Sequence, residues 1–338
     1  MGVRMADIAE DLGVSLMTVS KALRHHSDIS EKTRKRVIRR ARERGYEPNW
    51  MARGLATRRT HVVGLVIPDL MHSFFAEIAK GVASVLDPAG YQVTISNSDE
   101  NPANEERQIS TLIARSVDGF LIGSAERDSG GAKIFKSLRI RKIPYVLFDR
   151  LPASAGAHYV GVDDEEVGRL ATEHLIEQGC RTIVHLRGHE VSTGVDRVRG
   201  YRKALARHGF EFSSRYVIRA GNKEESGVEA MRKLLRLTPR PDGVFCYNDA
   251  IAACAIRVAL EAGLRVPSDI AIIGSGNFRH SDFLCVPLSS VHQSSLLIGR
   301  KSAELLIEIM GSEETVPARR ILIPPRLVVR ESSLRTAK

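Results

Sequence analysis

Apolar residues recur at helical spacing through the first 47 residues of the chain. Ile8, Ala9 and Leu12 share one helical face, and Gly13 follows them as a residue suited to end a helix. Two more apolar stripes each follow a serine that can cap a helix: Val19, Ala22 and Leu23 after Ser15, and Val37, Ile38 and Ala41 after Ser30. Short helices joined by a tight, glycine-containing turn are the sequence form of a helix-turn-helix.

Residues 47–60 form a short connector with the sequence EPNWMARGLATRRT. Pro48 breaks the preceding helix and Asn49 can cap a new one of only about two turns. A helix of that length is marginal alone in water, so we expect it to form only when other contacts hold it.

From His61 onwards, short apolar runs alternate with amphipathic stretches such as residues 74–86 and 167–177. The runs that predict buried strands are VVGLVIPD, YQVTISNS, VDGFLIG, IPYVLFDR, IVHLRG, GVFCYND and IAIIGSG. This alternation predicts parallel sheets covered on both faces. The strands divide into two sets at about Asp163, which indicates two α/β lobes with a cleft between them.

Polar residues follow several of these predicted strands: Asp69, Asp149, Arg150, Asp163, Asn248, Asp249 and Asn277. In open α/β sheets, ligands bind at the carboxyl ends of the strands. We therefore expect a ligand site in the cleft, built from these positions.

Charge is distributed unevenly along the chain, which has 338 residues and a formal net charge of +10. Residues 1–60 hold 14 of the 50 Lys and Arg but only 7 of the 40 Asp and Glu. A local basic block indicates a polyanionic partner for the N-terminal module. A solvated basic helix without a partner is the alternative.

Composition also disfavours several classes of protein. No apolar run approaches the ~20 residues of a membrane helix, and residues 1–10 have no signal-peptide core, so we expect a cytoplasmic protein that does not enter a membrane. The four cysteines form no CxxC pair, which argues against a zinc site or a disulfide framework: Cys180, Cys246, Cys254 and Cys285.

Catalytic and cofactor motifs are missing from the sequence. No GxSxG, P-loop, HExxH or GxGxxG motif stands at a predicted strand-helix junction, so we expect neither an enzyme nor a bound cofactor. One cluster could suggest a metal, but its spacing fits no standard site: His158, His185, His189 and Glu190.

Over nearly its whole length the chain resembles the lactose/galactose repressor (LacI/GalR) family. The motifs that carry this resemblance, in order, are ADIAEDLGVSLMTVSKAL, GYEPNWMARGLA, GLVIPDLMHSFFAEIAKGV, VDGFLIG, IPYVLFDR, RVRGYRKAL, YNDAIA, GLRVPSDIAIIG and PPRLVVRESS. The resemblance implies a helix-turn-helix domain (1–47), a hinge helix (48–60) and a periplasmic-binding-protein-like core (61–338). The implied N-lobe spans about 61–162 and 293–322, and the implied C-lobe spans about 163–292 and 323–334.

The resemblance implies that VSLMTVSKALR, residues 14–24, is a recognition helix that lies in the DNA major groove. Leu16, Met17 and Lys21 would then face base edges, where a lysine can donate to guanine and apolar groups can touch thymine methyls. Core packing is the alternative for Leu16 and Met17. The expected contacts to DNA phosphates are Ser15, Thr18, Ser20, Arg24 and Arg34.

In the connector, the resemblance implies minor-groove contacts from Asn49, Ala52, Arg53 and Leu55, with Leu55 wedged into a base step. Packing within the linker is the alternative for Leu55. Gly54 departs from a good helix sequence, since glycine costs up to about 1 kcal/mol relative to alanine inside a helix.

In the cleft, the resemblance implies that a small-molecule effector contacts eight positions: Asp69, His72, Ser73, Phe74, Arg150, Arg197, Asn248 and Asn277. The sequence departs from the family at His72-Ser73, where Asn-Pro is usual, and at Gly276, where an acid is usual. The stretch RAGNKEESG, residues 219–227, also lacks an aromatic. A sugar, a sugar acid or a sugar phosphate all remain open as effector, with Arg150 and Arg197 either binding an anion or forming structural ion pairs.

These features predict a sequence-specific transcriptional repressor that binds a pseudo-palindromic operator as a homodimer under effector control. The direction of the effector's action stays open. A solute-binding protein with the same core is the alternative function, which the basic N-terminal module disfavours.

Overall fold

The computed structural model describes residues 3–47, 59–126, 133–152, 156–221, 224–312, 314 and 316–335. The chain separates into two compact units, residues 1–60 and residues 61–338. Most of the predicted hinge helix lies outside the described residues.

The N-terminal unit contains three helices in its described part: α1 (Met5–Leu12), α2 (Leu16–Leu23) and α3 (Glu31–Glu43). Gly13 ends α1 in the left-handed region at φ 62°, and the Ser15 side chain accepts a hydrogen bond from the Thr18 N–H. Ser30 caps α3 through Thr33 in the same way. The turn and both caps confirm the sequence prediction, because each depends only on residues within one or two helical turns.

A small apolar core and one cluster of ion pairs hold these three helices together. The fully buried side chains come from all three helices: Ile8, Val19, Ala22 and Val37. Asp11 on α1 accepts hydrogen bonds from Arg44 (2.6 Å at both oxygens) and Arg40 (2.8 Å), which lie at the end of α3. These bonds hold the pKa of the Asp11 carboxyl well below its ordinary value.

The second unit alternates strands and helices. Its described strands are β1 (Val62–Ile67), β2 (Gln92–Asn97), β3 (Gly119–Ile122), β4 (Tyr145–Phe148), β5 (His158–Val162), β6 (Ile183–Arg187), β7 (Val217–Arg219), β8 (Gly243–Cys246), β9 (Ala271–Gly276), β10 (Ser289–His292), β11 (Arg320–Ile323) and β12 (Arg326–Val328). Its described helices are α4 (Ser73–Leu86), α5 (Pro102–Ala114), α6 (Lys133–Ile140), α7 (Asp164–Glu177), α8 (Ser192–Arg207), α9 (Glu224–Leu234), α10 (Asp249–Glu261) and α11 (Ser295–Gly311).

Two six-stranded sheets define two lobes. The first has the order β11-β5-β4-β3-β1-β2 and is parallel throughout. The second has the order β12-β10-β9-β8-β6-β7, in which only the β10–β12 pair is antiparallel. The chain passes between the sheets after β5, after β10 and after β11. Two parallel-sheet lobes were predicted and are confirmed, and the antiparallel edge strand was not predicted.

Close helix contact positions the inner part of the cleft. Helices α7 and α8 pack against each other, and a side-chain carbon at Gly168 would lie 2.2 Å from the carbonyl oxygen of Arg197. At Gly200 the same carbon would lie 1.9 Å from the carbonyl oxygen of Glu165. Glycine at both positions therefore lets α8 approach α7 closely enough to bring Arg197 onto the cleft floor.

Other expectations concern cysteines, metals and membranes. The thiols of Cys180, Cys246 and Cys254 are buried, that of Cys285 is exposed, and all four are free. The part of the chain that the structure describes contains no group of three or more His, Cys, Asp and Glu side chains arranged to hold a metal ion. Its helices also lack the length and apolar character that spanning a membrane requires.

Candidate functional site

Helix α2 separates its apolar residues into a buried set and an exposed set. Val19 and Ala22 are fully buried, whereas Leu16 and Met17 are 52% and 61% exposed. The three-helix core is thus complete without Leu16 and Met17, because the helical period turns their side chains outward. Two adjacent exposed apolar side chains at a helix N-terminus are available to contact another molecule.

Lys21, the third predicted base-reading residue, is half-buried and already has a partner. Its ammonium lies 2.5 Å from an Asp28 carboxylate oxygen, and His26 Nδ1 lies 2.8 Å from the other oxygen. The Lys21 hydrogen bond holds the pKa of Asp28 below its ordinary value, with a smaller effect from His26. Lys21 can therefore contact a base either through its remaining N–H donors or by releasing Asp28.

The residues predicted to contact DNA phosphates differ in the hydrogen bonds that they already form within the protein. Ser15 and Thr18 join their hydroxyls at 2.9 Å at the start of α2, and Arg24 donates to the Ser20 carbonyl at the end of that helix. Arg34 donates to the carbonyls of His26 and Ile29 and to the Glu31 carboxylate. Arg34 thus fastens the turn before α3. The predicted minor-groove residues Asn49, Ala52, Arg53 and Leu55 lie outside the described residues.

Two adjoining cavities lie between the lobes of the second unit. The outer cavity has a volume of about 310 Å³ and the inner one about 40 Å³. His72, Phe74, Ser275 and Gly276 line both of them. Of the predicted effector contacts, Asp69 and Ser73 line the outer cavity, and Arg150, Arg197 and Asn248 line the inner one.

Arg150 forms the first of two buried ion pairs on the cleft floor. It is 3% exposed and donates to both Glu100 carboxylate oxygens, at 2.6 and 2.7 Å, and to the Ser124 carbonyl at 3.2 Å. Burial acts to lower the pKa of Arg150, but the hydrogen bonds and charge of Glu100 outweigh it and raise that pKa. The guanidinium remains charged and has its carboxylate partner within the protein.

Arg197 forms the second pair and donates hydrogen bonds to four residues from separate segments of the chain. It donates to the carboxylate of Asp164 at 2.8 Å, to the carbonyl of Tyr247 at 2.5 Å and to the hydroxyl of Ser275 at 2.9 Å. A fourth hydrogen bond reaches Gln293 at 3.1 Å, and the guanidinium lies 4.7 Å from the ring centre of Tyr247. Asp164 and Gln293 lie beside two of the three segments in which the chain crosses between the sheets. Arg197 therefore connects the cleft floor to these crossing segments.

Asn248 follows β8, Asn277 follows β9, and the two have different roles. Asn248 is 4% exposed and caps α10, its side-chain oxygen accepting from the Ile251 N–H at 2.9 Å. Asn277 accepts from Arg330 at 2.8 Å and lies 3.4 Å from His292 Nδ1. Asn277 is not among the residues that line the two cavities, unlike the other seven predicted effector contacts.

His72 begins α4 at the junction of the two cavities. Its Nδ1 accepts from the Phe74 N–H at 3.4 Å, and its ring packs edge-on against those of Phe74 and Phe75. Burial lowers the pKa of this histidine, with Asp69 opposing. A neutral imidazole in contact with two phenyl rings takes the place of the Asn-Pro that the resemblance leads one to expect.

Asp249, one of the polar residues expected in the cleft from its position after a strand, also lines the outer cavity. Four titratable or aromatic residues of that cavity were not predicted: Glu77, Glu224, Phe278 and His280. Asp249 is the most buried of the acids, and Gly276 leaves room beside it, since a side-chain carbon there would lie 3.5 Å from its carboxylate. Burial raises the pKa of Asp249 to about 6, against hydrogen bonds from Ser290 and the Phe278 N–H. The departure at Gly276 was visible in the sequence, and Asp249 was among the strand-end residues expected in the cleft, but the sequence did not show that the two lie side by side.

Comparisons with known proteins agree with both units. The family of bacterial regulatory proteins named for lacI matches residues 4–49, and the periplasmic binding protein-like domain matches residues 172–333. Catabolite control protein A of Priestia megaterium is 32% identical over 337 residues, which cover 98% of this chain and 100% of that protein. The chain belongs to the LacI family.

Other LacI-family members extend the comparison. The transcriptional regulator CelR of Thermobifida fusca is 36% identical over 334 residues, 96% of each chain. A structure of a CelR–cellobiose complex has a TM-score of 0.75 at 33% identity and covers 98% of this chain and all of that one. The lac repressor dimer bound to operator and an anti-inducer has a TM-score of 0.89 at 25% identity, covering 99% and 100%.

The chain is thus a DNA-binding transcriptional regulator. The match over residues 4–49 distinguishes this LacI-family protein from a plain solute-binding protein with the same core. The similar proteins named above are regulators, and none is named as an enzyme.

Proposed function

We propose that this LacI-family protein represses transcription by binding a pseudo-palindromic operator as a homodimer, with a small-molecule effector in the cleft controlling its affinity for DNA. Residues 1–47 would bind the major groove, residues 48–60 the minor groove, and residues 61–338 the effector. The exposure of Leu16 and Met17 on a helix whose other apolar residues form the core is the observation that carries the DNA-binding part.

The proposed base-reading set is Leu16, Met17 and Lys21. The two exposed apolar side chains can contact thymine methyl groups, and a lysine released from Asp28 can donate to guanine O6 and N7. The proposed backbone contacts remain Ser15, Thr18, Ser20, Arg24 and Arg34. Of these, Arg34 has a competing structural role, since it already bonds two carbonyls of the turn before α3.

Effector control follows from the position of the cleft between two lobes that the chain crosses three times. A ligand that contacts both lobes favours one arrangement of them over another. A difference of about 1–3 kcal/mol in ligand binding between the two arrangements changes operator affinity by about 5–150-fold. Arg197 is placed to transmit this difference, because it bonds residues beside two of the crossings.

Selection of random double-stranded DNA by the full chain, at two salt concentrations, tests the DNA-binding part. We expect a palindrome whose half-sites are related by the twofold axis of a dimer, and weaker binding at the higher salt. Lys21→Ala should relax base preference at one position per half-site by about 1–3 kcal/mol.

Lys301→Ala is the matched control for Lys21→Ala, because Lys301 also pairs with a carboxylate, Glu304 at 2.8 Å, but lies on α11 in the other unit. It should leave base preference unchanged. An asymmetric, single half-site product would contradict the dimer, and an unchanged preference in Lys21→Ala would remove Lys21 from base reading.

A further inference from the structure

The outer cavity carries an excess of negative charge. Its charged lining residues in the described part of the chain are four carboxylates, with no lysine or arginine among them: Asp69, Glu77, Glu224 and Asp249. Three of these acids accept hydrogen bonds from the protein, and Asp69 accepts from the Met71 N–H at 2.9 Å. Glu77 accepts from the Ser295 hydroxyl, and Asp249 accepts from the Ser290 hydroxyl at 2.7 Å and from the Phe278 N–H at 2.8 Å. None of these donors is charged, so the formal negative charge is not neutralised.

The inner cavity has no positive charge to spare. Arg150 is bound at both ends of its fork by Glu100, and the four hydrogen bonds of Arg197 end on protein groups, one of them the Asp164 carboxylate. Over both cavities, six described carboxylates face two guanidinium groups, a formal balance of −4. Residues 61–338 as a whole hold 36 Lys and Arg against 33 Asp and Glu, so the cleft is more negative than the unit that contains it. The formal balance disfavours an anionic ligand, and both terminal nitrogens of the Arg150 fork are already bound by Glu100, which leaves only the buried Nε without a hydrogen bond.

Two polar groups that line the inner cavity, the Asp149 carboxylate and the Asn248 Nδ2, have no hydrogen-bond partner among the described residues. The carboxylate of Asp149 is 6% exposed and accepts no hydrogen bond from the described residues, although Arg150 Nε lies 3.6 Å away. Its backbone is held in the left-handed region at φ 61°. Asn248 uses its side-chain oxygen as a helix cap, and its Nδ2 has no acceptor among the described residues. Both residues line the inner cavity, so a ligand there can supply a donor to Asp149 and an acceptor to Asn248. A ligand hydroxyl group can both donate to the Asp149 carboxylate and accept from the Asn248 Nδ2.

Aromatic side chains complete the lining. Phe74 from the first lobe and Phe278 from the second both border the outer cavity. Phenyl faces cover the apolar face of a sugar ring and also attract cations. A cavity of about 310 Å³ lies at the lower end of the range of about 300–1,000 Å³ for small-molecule sites.

We propose that the effector is a polyhydroxylated ring that bears a protonated amine, namely an amino sugar or a short oligomer of one, rather than a sugar acid or a sugar phosphate. The inference rests on the proposed function, because it takes the cleft to be the effector site. The ammonium group lies among the outer carboxylates, and the hydroxyls bond Asp149 and Asn248 in the inner cavity.

Calorimetric titration of the full chain with matched disaccharides tests the proposal without DNA. The probes are the β-1,4-linked disaccharide of glucosamine, cellobiose, cellobionic acid and spermidine. We expect the glucosamine disaccharide to bind at least about tenfold more tightly than cellobiose, and the acid not to bind. Equal or tighter binding of cellobiose or of the acid overturns the proposal. So does binding of spermidine without the amino sugar, or binding of none of the four.

Glu224→Gln removes one outer charge at an exposed position, so folding should be unaffected. It should weaken binding of the glucosamine disaccharide about three- to tenfold and leave that of cellobiose unchanged. Glu225→Gln, next to it in the same helix and outside the cavity lining, is the control and should change neither. Equal losses for both disaccharides would assign Glu224 a role unrelated to charge and overturn the proposal.

Operator binding, measured separately by fluorescence anisotropy, distinguishes failure of this inference from failure of the proposed function. Loss of operator binding in every condition contradicts the proposed function whatever the titrations show. An operator response to cellobiose but not to the amino sugar leaves the proposed function intact and overturns the ammonium requirement.

Discussion

Arg150 and Glu100 form a bidentate ion pair on the floor of the cleft, with Nη1–Oε2 and Nη2–Oε1 distances of 2.6 and 2.7 Å. The two residues are 50 positions apart, and their side chains are 4% and 14% exposed. Because the Glu100 carboxylate neutralises the Arg150 guanidinium and occupies both ends of its fork, Arg150 is less available to bind an anionic ligand. This relationship bears on both the stability of the first lobe and the choice of ligand.

Glu100→Gln should destabilise the protein, because it removes the carboxylate that bonds both ends of the buried Arg150 fork and leaves only Asp149, 3.6 Å from Nε, as a counter-charge. Breaking a buried ion pair in this way typically costs about 3–5 kcal/mol. Equilibrium urea unfolding followed by circular dichroism measures the effect as a lower midpoint. Asp99→Asn, at the neighbouring exposed carboxylate, is the control and should change the free energy of unfolding by no more than about 0.5 kcal/mol. An unchanged midpoint in Glu100→Gln would show that water or another group compensates Arg150.

Asp28→Asn should strengthen operator binding several-fold. The substitution weakens the hold on the Lys21 ammonium, now 2.5 Å from the Asp28 carboxylate, and removes a negative charge close to α2. The logarithm of the binding constant should also fall more steeply with the logarithm of salt concentration, by about one unit of slope. Fluorescence anisotropy over a salt series measures both quantities.

Glu10→Gln controls for the loss of one acid from the same unit, because Glu10 is exposed on α1. If Asp28→Asn and Glu10→Gln raise the affinity equally, the effect is one of net charge alone. In that case the Lys21–Asp28 pair has no special part in DNA binding.

Glu105→Gln should change how stability depends on pH. Glu105 is 1% exposed, and burial raises the pKa of its carboxyl from 4.5 to about 7, against hydrogen bonds from the Ala125 N–H and the Ser124 hydroxyl. Glu126 also raises this pKa and Arg150 lowers it. Between pH 4.5 and 7 the folded protein therefore holds a proton that the unfolded chain has released.

The sign follows from this difference in bound protons. Stability from Glu105 is fully present below about pH 4.5 and is lost as the pH rises to about 7, at up to about 1.4 kcal/mol per unit. The free energy of unfolding measured from pH 4.5 to 8 should fall less steeply in Glu105→Gln than in the natural chain. Glu106→Gln, at the adjacent exposed position, should keep the natural slope. Parallel curves for all three proteins would contradict a raised pKa at Glu105.

The sequence by itself determined the features that depend on near neighbours. The caps at Ser15 and Ser30, the turn at Gly13 and the outward side chains of Leu16 and Met17 follow from helical spacing and local hydrogen bonds. The long apolar strands of both sheets were predicted for the same reason. Five described strands were not predicted: β5, β7, β10, β11 and β12. Two of them, β7 and β12, are edge strands of three residues each with little apolar pattern.

Tertiary structure alone decided which charges meet in the cleft. Glu100 reaches Arg150 across 50 residues, Gln293 reaches Arg197 across 96, and the cavity acids Glu224 and Asp249 come from separate helices. The sequence left each arginine open as an anion site or as a structural ion-pair partner, because it does not show which carboxylate lies opposite. That choice depends on the crossing of the chain between two sheets and on the close packing of α7 against α8, both of which are properties of the folded molecule.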